Sequence, residues 1–227
     1  MNVLLGCEES QAVCVEFRKR GYNAYSCDIQ PCSGGHPEWH IQTDIFEVIN
    51  GGWFVTEAGT SVLIEKWDLG IFFPPCTYLT VTGARWMYNK DGSLNEDRKR
   101  KQEQGLDFVK KIMNCNIEKI AIENPVGAIS RNIRQPDQII QPYYFGDEAQ
   151  KTTCLWLKNL PKLIHVKHDD LFSNSTHVSP GEMITTSTGK TFSKWYWETS
   201  RGVGSDRSKL RSKTFPGIAK AMAEQWG

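Results

Sequence analysis

Apolar residues in the first third of the chain fall in short runs separated by polar turns, the spacing of alternating strands and helices. Val3-Leu4-Leu5, within residues 2–5, reads as a buried strand, and Gly6 to Ser10 as a turn. Ala12, Val13, Val15, Glu16 and Phe17 open a helix that ends at Gly21, a residue suited to the left-handed turn beyond a helix. Asn23 to Cys27 fits a second strand with Asp28 at its end. Such a βαβ opening is the unit of parallel sheets. Pro31-Cys32-Ser33-Gly34-Gly35-His36-Pro37 is predicted loop. Asp44-Ile45-Phe46 lies at the next short strand end, and residues 50–66 read as irregular chain or a weak helix.

Two later runs share one design. Trp67-Asp68-Leu69-Gly70-Ile71-Phe72-Phe73-Pro74-Pro75-Cys76-Thr77 is an apolar strand stopped by two prolines, which cannot donate to a sheet ladder. Cys76 is thereby placed on a loop at the strand's carboxyl end. Ile120-Ala121-Ile122-Glu123-Asn124-Pro125 repeats the arrangement with a carboxylate and an amide. Between them, Asn95 to Asn114 is a charged helix whose Leu106, Val109, Ile112 and Met113 form one apolar face, as a crossover between parallel strands requires. Thr153 to Leu157 and Thr191 to Trp197 read as further strands, and residues 164–190 as polar chain. The expected class is α/β with a mostly parallel sheet, its ligands outside the carboxyl ends of the strands.

Composition narrows this picture. With 227 residues, 39% hydrophobic and 23% charged, the chain suits one packed domain with a small appendage. No window approaches the roughly 18 apolar residues that span a bilayer, and Met1-Asn2-Val3-Leu4-Leu5 lacks signal-peptide features. The expectation is a cytoplasmic protein with no membrane contact. Its seven cysteines (7, 14, 27, 32, 76, 115 and 154) are then expected to be reduced, several as small core residues. Net charge is +1, but Lys190, Lys194, Arg201, Arg207, Lys209, Arg211 and Lys213 stand against only Glu198 and Asp206. That segment suits phosphates, or plain solvation.

Cys76 and Glu123 are the candidates for chemistry. A cysteine at a strand end is either an inert small hydrophobe or a nucleophile, and the Pro-Pro context favours the nucleophile. Glu123 directly follows an apolar run, where a carboxylic acid has its pKa raised and can present a proton to a ring nitrogen. The plainer alternative is a capping Asn124 beside a surface glutamate. Cys27, Cys32, His36 and His40 superficially resemble a zinc site, but Pro31, Gly34, Gly35 and Pro37 intervene and Cys27 falls in a strand. No metal is assigned, and Ser33-Gly34-Gly35-His36 is read as a polar loop bordering the cleft, its N–H groups suited to phosphate. His165, His168 and His177 lack ligand spacing.

On these residues the chain resembles the cytosine-5 DNA methyltransferases, and in particular their small stand-alone phage and prophage members. The resemblance implies a Rossmann-like S-adenosylmethionine-dependent methyltransferase fold with helices on both faces of the sheet. Pro75 and Cys76 correspond to the loop whose thiolate attacks carbon 6 of cytosine, and Glu123 with Asn124 to the acid that meets ring nitrogen 3. Leu5, Gly6, Cys7 and Glu8 correspond to the first cofactor loop. Asp28 and Ile29 correspond to the ribose contact, and Asp44 and Ile45 to the adenine end, with Pro74 in the same pocket. Thr77, Gln150 and Lys151 are implied on the cytosine side, where Arg131 or Arg134 substitutes for arginines the family has and this chain lacks, while Lys194, Arg207, Lys209 and Arg211 of the basic segment are the expected contacts to the DNA backbone. Residues 1–157 are the expected catalytic core, 158–205 a reduced recognition segment, and 206–227 a helix that returns to the core, with Phe215 to Ala219 completing the cofactor pocket.

The chain departs from the family pattern in three places. Cys7, Glu8, Glu9 and Ser10 follow Gly6 in place of a Phe-x-Gly-x-Gly loop. Lys151 and two threonines replace the arginines of a Gln-x-Arg-x-Arg element. The recognition segment is short, so base readout is expected to be weak, with a preference for single strands. Lys194-Trp195-Tyr196-Trp197 supplies either stacking surface for such strands or a core strand. Two rivals stay open: an enzyme acting on a free cytosine nucleotide or with a modified cofactor, and a degenerate methyltransferase fold that binds DNA or protein without catalysis.

Overall fold

The computed structural model of the protein describes residues 1–168, 174–201 and 211–227. The chain divides into two compact units, Met1–Ile139 with Thr153–Lys162, and Ile140–Thr152 with Leu163–Gly227. The boundary expected after residue 157 thus falls after Lys162, and residues 140–152, expected in the core, group with the second unit.

The first unit is built on strands β1 (Asn2–Gly6), β2 (Asn23–Asp28), β3 (His40–Gln42), β6 (Leu69–Phe72), β7 (Lys119–Pro125) and β9 (Thr153–Lys158), with β8 (Gln138–Ile140) at the sheet edge. Their order is β3-β2-β1-β6-β7-β9-β8. The pairs β1–β2, β2–β3, β1–β6 and β6–β7 are parallel, and β7–β9 is antiparallel. The class is therefore α/β with a mostly parallel sheet. The chain winds outward from β1 through β2 to β3, then returns to β6 on the other side of β1. Reversal of strand order opens a crevice at the carboxyl ends of β1 and β6.

Helix α3 (Glu96–Met113) makes the crossover from β6 to β7. Its N-terminus is capped by the Asn95 side chain, which accepts from Arg98 N–H at 3.1 Å. Leu106, Val109 and Ile112 pack in one cluster with Leu4, Phe72, Ile120 and Ile122. Alternate strand residues Val3, Leu5 and Ile71 are also fully buried and point the other way. Helix α1 (Ala12–Lys19) packs along β1 and β2 through Val13, Cys14 and Phe17, which stand outside that cluster.

Residues 50–66 are neither irregular nor helical. They form an antiparallel hairpin of β4 (Gly52–Val55) and β5 (Ser61–Ile64). Alternation decides it: Phe54 and Ile64 are buried while Trp53, Val55 and Leu63 are exposed, and Gly59 supplies the positive φ of the turn.

The second unit holds a ribbon of β10 (Met183–Thr185) and β11 (Thr191–Ser193), helix α5 (Lys194–Arg201) and a carboxyl-terminal helix, Pro216–Trp226. The strand expected over 191–197 therefore ends at Ser193. Ser193 Oγ accepts from Tyr196 N–H at 3.3 Å, a cap that starts a helix, and only three strand residues precede it. Lys194, Trp195, Tyr196 and Trp197 lie on that helix, with Tyr196 stacked on Phe192 and Trp195 against Phe215.

Candidate active site

Strand β6 ends at Phe72, whose neighbour Phe73 still donates to Gly6 O at 2.9 Å, and the two prolines then release the chain into a loop. The loop is wound about the Cys76 carbonyl, which accepts from Leu79 N–H at 2.9 Å and Thr80 N–H at 3.1 Å. Pro75 and Thr77 are exposed and Cys76 is half-buried. Strand β7 continues past the sheet partners it shares with β6, so Glu123 and Asn124 stand beside this loop, both buried.

Three hydrogen bonds tie the two strand ends together. Asn124 Nδ2 donates to Pro74 O at 2.8 Å. Val81 N–H donates to Val126 O at 3.1 Å, and Ala128 N–H to Leu79 O at 2.7 Å. The close approach needs a residue without a side chain, since a Cβ on Gly127 would overlap the Leu79 carbonyl. Pro74 O accepts only from a donor, which fixes the orientation of the Asn124 amide. Its Oδ1 is buried and accepts no hydrogen bond among the described residues.

Helix α3 grips the same loop from below. Arg98 Nη2 donates to Thr77 O at 3.3 Å and Gln102 Nε2 to Tyr78 O at 3.0 Å, with the Arg98 guanidinium 5.2 Å from the Tyr78 ring centre. Sequence reasoning missed Arg98, Gln102 and Gly127. Arg98 and Gln102, one helical turn apart, share a face, but nothing in a run of charged residues distinguishes a loop clamp from a solvated surface.

Across the crevice, Gly6 ends β1, and a Cβ there would collide with the Phe72 ring and come within 2.9 Å of Ile45. Cys7 follows with φ 60°, its N–H donating to Cys27 O at 2.7 Å. Burial pushes the Cys7 thiol well above its usual range, and the negative charges of Asp28 and Asp44 add to the effect. Asp28 itself is half-buried, and burial raises its pKa. Ile29 is 72% exposed beside it, and Asp44 is exposed, capping helix α2 (Ile45–Val48) through Phe46 N–H at 2.9 Å. Leu5 and Ile45 are core residues that offer only backbone to a ligand.

The two acids that set this loop apart face inward. Glu8 is buried and accepts from Val13 N–H at 2.6 Å and Cys14 N–H at 3.2 Å, so it caps α1. Glu9 is buried and bonds to Ser33 Oγ. Gln11, in the left-handed conformation, takes His36 N–H on Oε1 at 3.0 Å and gives Nε2 to His36 O at 2.9 Å. His40 lies between Ser26 Oγ at 2.8 Å and Gln30 O at 2.9 Å, and His36 stacks on Trp39. Of the residues with zinc-like spacing, His36 and His40 are thus engaged in this polar network. Among the described residues no three His, Cys, Asp or Glu are grouped to hold a metal ion.

The remaining candidates are scattered. Arg131 is exposed on helix α4 (Ala128–Asn132). Arg134 pairs with Asp137 at 2.8 Å and donates to Leu157 O at 3.0 Å. It lines a groove of about 500 Å³ with Met113, Ile120, Trp156 and Lys158, a groove that includes neither Cys76 nor Glu123. Gln150, Lys151, Lys194 and Arg211 belong to the second unit, where Gln150 approaches Met183 Sδ, Lys194 pairs with Glu182 at 3.0 Å and Arg211 lies 4.8 Å from the Tyr196 ring centre. Arg207 and Lys209 lie outside the described residues.

No protein-family model matches the chain, and comparison with curated proteins finds no significant relative. Among the described residues, no helix is long and apolar enough to cross a membrane.

Proposed function

We propose that the protein is an S-adenosylmethionine-dependent methyltransferase of Rossmann-like fold that acts on carbon 5 of cytosine in DNA, with Cys76 as nucleophile and Glu123 as acid. The observation that carries this reading is the lacing of the two strand ends, in which Asn124 bonds to the carbonyl just before the Pro75-Cys76 pair. On this reading a half-buried thiol and a buried carboxyl group, carried at the ends of adjacent strands, serve as nucleophile and acid.

The acceptor and apolar groups across the crevice suit the cofactor. Asp28 offers a half-buried carboxylate to ribose hydroxyls, Ile29 an exposed apolar face to adenine, and Asp44 an acceptor for an amine. Glu8, turned onto α1, does not confront the cofactor's carboxylate. When bound, S-adenosylmethionine would supply an electrophilic methyl group. The Cys76 thiolate adds to carbon 6 while Glu123 gives its proton to nitrogen 3, which makes carbon 5 nucleophilic. After methylation, water takes the carbon 5 proton, the thiolate leaves carbon 6, and the nitrogen 3 proton returns to Glu123, which restores the ring and the acid. Because the base must leave its stack to reach Cys76, the substrate is taken up flipped or unpaired.

Replacing the carbon 5 hydrogen with fluorine blocks that final elimination. A 5-fluorocytosine oligonucleotide with cofactor is expected to give a denaturation-resistant adduct on Cys76, absent in Cys76→Ser. An adduct mapped by mass spectrometry to Cys7, Cys32 or Cys154 removes the assignment. Glu123→Gln is expected to slow turnover by roughly 100-fold or more with cofactor affinity retained.

A second reading, a free cytosine nucleotide as substrate, is favoured by one observation: Lys194 is already paired with Glu182 and Arg211 already covers Tyr196. Methylation of a deoxycytidine nucleotide without any DNA binding at low salt selects it.

A further inference from the structure

The chain between the nucleophile loop and α3 presents rings that the fold leaves outside its core. Trp86 and Tyr88 are 56% and 63% exposed, with Val81 and Val126 exposed nearby. Their backbone is fixed: Asn95 N–H donates to Met87 O at 2.8 Å, Asn89 N–H to Ser93 O at 2.8 Å, and Val81 is tied to Val126. A bridge joins Tyr88 to Leu94. Held in this way, the rings are presented on the segment that follows the Cys76 loop at little further entropic cost.

Charge selects the partner. The Arg85 guanidinium lies 4.6 Å from the Trp86 ring centre, and Lys90 follows two residues after Tyr88. Over residues 85–101 six Lys and Arg outnumber the three acids Asp91, Glu96 and Asp97, and Asp97 is itself paired with Arg100 and Lys101. Exposed rings in a segment with an excess of cations suit a polyanion whose units carry flat faces. A second copy of the chain fits less well, because a two-fold contact through this patch sets like charges against each other. A duplex hides its base faces, whereas a single strand offers them.

We propose that Trp86 and Tyr88, flanked by Arg85 and Lys90, form a stacking platform for unpaired bases of a single-stranded nucleic acid next to the Cys76 loop. The platform rests on the methyltransferase reading for the site it serves, but its binding can be measured without cytosine.

A short oligothymidylate is the probe, titrated into the intact protein by fluorescence anisotropy at several salt concentrations. Trp86→Ala and Tyr88→Ala are each expected to weaken binding by roughly tenfold or more, the usual effect of losing a base-stacking ring, and Trp86→Phe to restore most of it. Arg85→Ala and Lys90→Ala are each expected to lower the salt slope by about 0.7, one single-strand phosphate contact apiece. Trp53→Ala, which removes a still more exposed indole from the β4–β5 hairpin, is expected to bind as wild type. Equal losses in Trp53→Ala and Trp86→Ala overturn the proposal. So does an absence of oligothymidylate binding at low salt, or a change in self-association rather than binding on loss of Trp86. A protein that binds oligothymidylate through Trp86 but never forms the 5-fluorocytosine adduct keeps the platform and loses the catalytic reading.

Discussion

Asn124 reaches back fifty residues to hold Pro74: its Nδ2 donates to the Pro74 carbonyl oxygen at 2.8 Å. The side chain next to the acid thereby fixes the backbone next to the nucleophile, and neither strand end can shift without the other. Position 124 needs an amide for this, because aspartate lacks the donor and a shorter side chain lacks the reach.

Asn124→Ala leaves a buried carbonyl without its donor, which costs about 1–3 kcal/mol. Asn124→Asp keeps the shape but sets a carboxylate against that carbonyl, and is expected to be worse. Urea midpoints and the rate of adduct formation at Cys76 read the two effects. If Asn124→Asp matches wild type in both, the contact positions nothing.

Gly127→Ala is expected to be among the most damaging methyl additions in the first unit. Its Cβ overlaps the Leu79 carbonyl, and backbone, unlike the end of a flexible side chain, cannot turn aside. Overpacking of this kind costs about 1–3 kcal/mol or more. Gly35→Ala makes a useful contrast: its Cβ meets nothing, so only the positive φ penalises it. Thermal unfolding that ranks Gly35→Ala below Gly127→Ala contradicts the tight approach of the two loops.

The α3 clamp can be tested through the thiol it positions. Gln102→Ala and Arg98→Lys each remove one donor to the loop, a change of about 0.5–1.5 kcal/mol, and lysine does not reproduce the planar guanidinium fork. The alkylation rate of Cys76 is expected to change in both variants, with half-buried Cys32 as an unchanged internal reference. Identical rates at both cysteines mean that the loop is held without α3.

Much of this was legible in the residues. Prolines and apolar runs marked both strand ends, and hydrophobic periodicity marked α1, α3 and the parallel order of strands, because those signals are local. The β4–β5 hairpin was missed because its strands are four residues long and half-exposed, which leaves too little alternation to separate from irregular chain. The strand expected through Trp197 failed for a related reason: aromatic residues favour strands in isolation, while the Ser193 cap and the packing of Trp195 and Tyr196 decide for a helix. The inward turn of Glu8 was hidden altogether. A carboxylate caps a helix or faces a ligand with the same side chain, and only the fold shows which N–H groups it meets.

The buried thiols predict how stability depends on pH. Burial pushes Cys27 up to about 12, and it pushes Cys154 up to about 11 with help from the negative charge of Glu123, against an ordinary 9.0. Both are fully buried, as is Cys14, whose pKa burial also raises. Since the folded protein keeps these protons longer than the unfolded chain, their contribution to stability is fully present below pH 9.0. It is lost as pH rises through the folded values near 11 and 12. Stability is therefore expected to fall with rising pH in that window, and Cys154→Ala to flatten the fall by one proton's worth, about 1.4 kcal/mol per pH unit at most. Urea denaturation of both proteins across the window measures the difference in slope. The same burial predicts that iodoacetamide labels Cys76 and Cys32 before Cys154 under mildly alkaline native conditions. Equal labelling of Cys154 and Cys76, or parallel pH profiles for wild type and Cys154→Ala, means that β9 is not seated against β7 where Cys154 opposes Asn124.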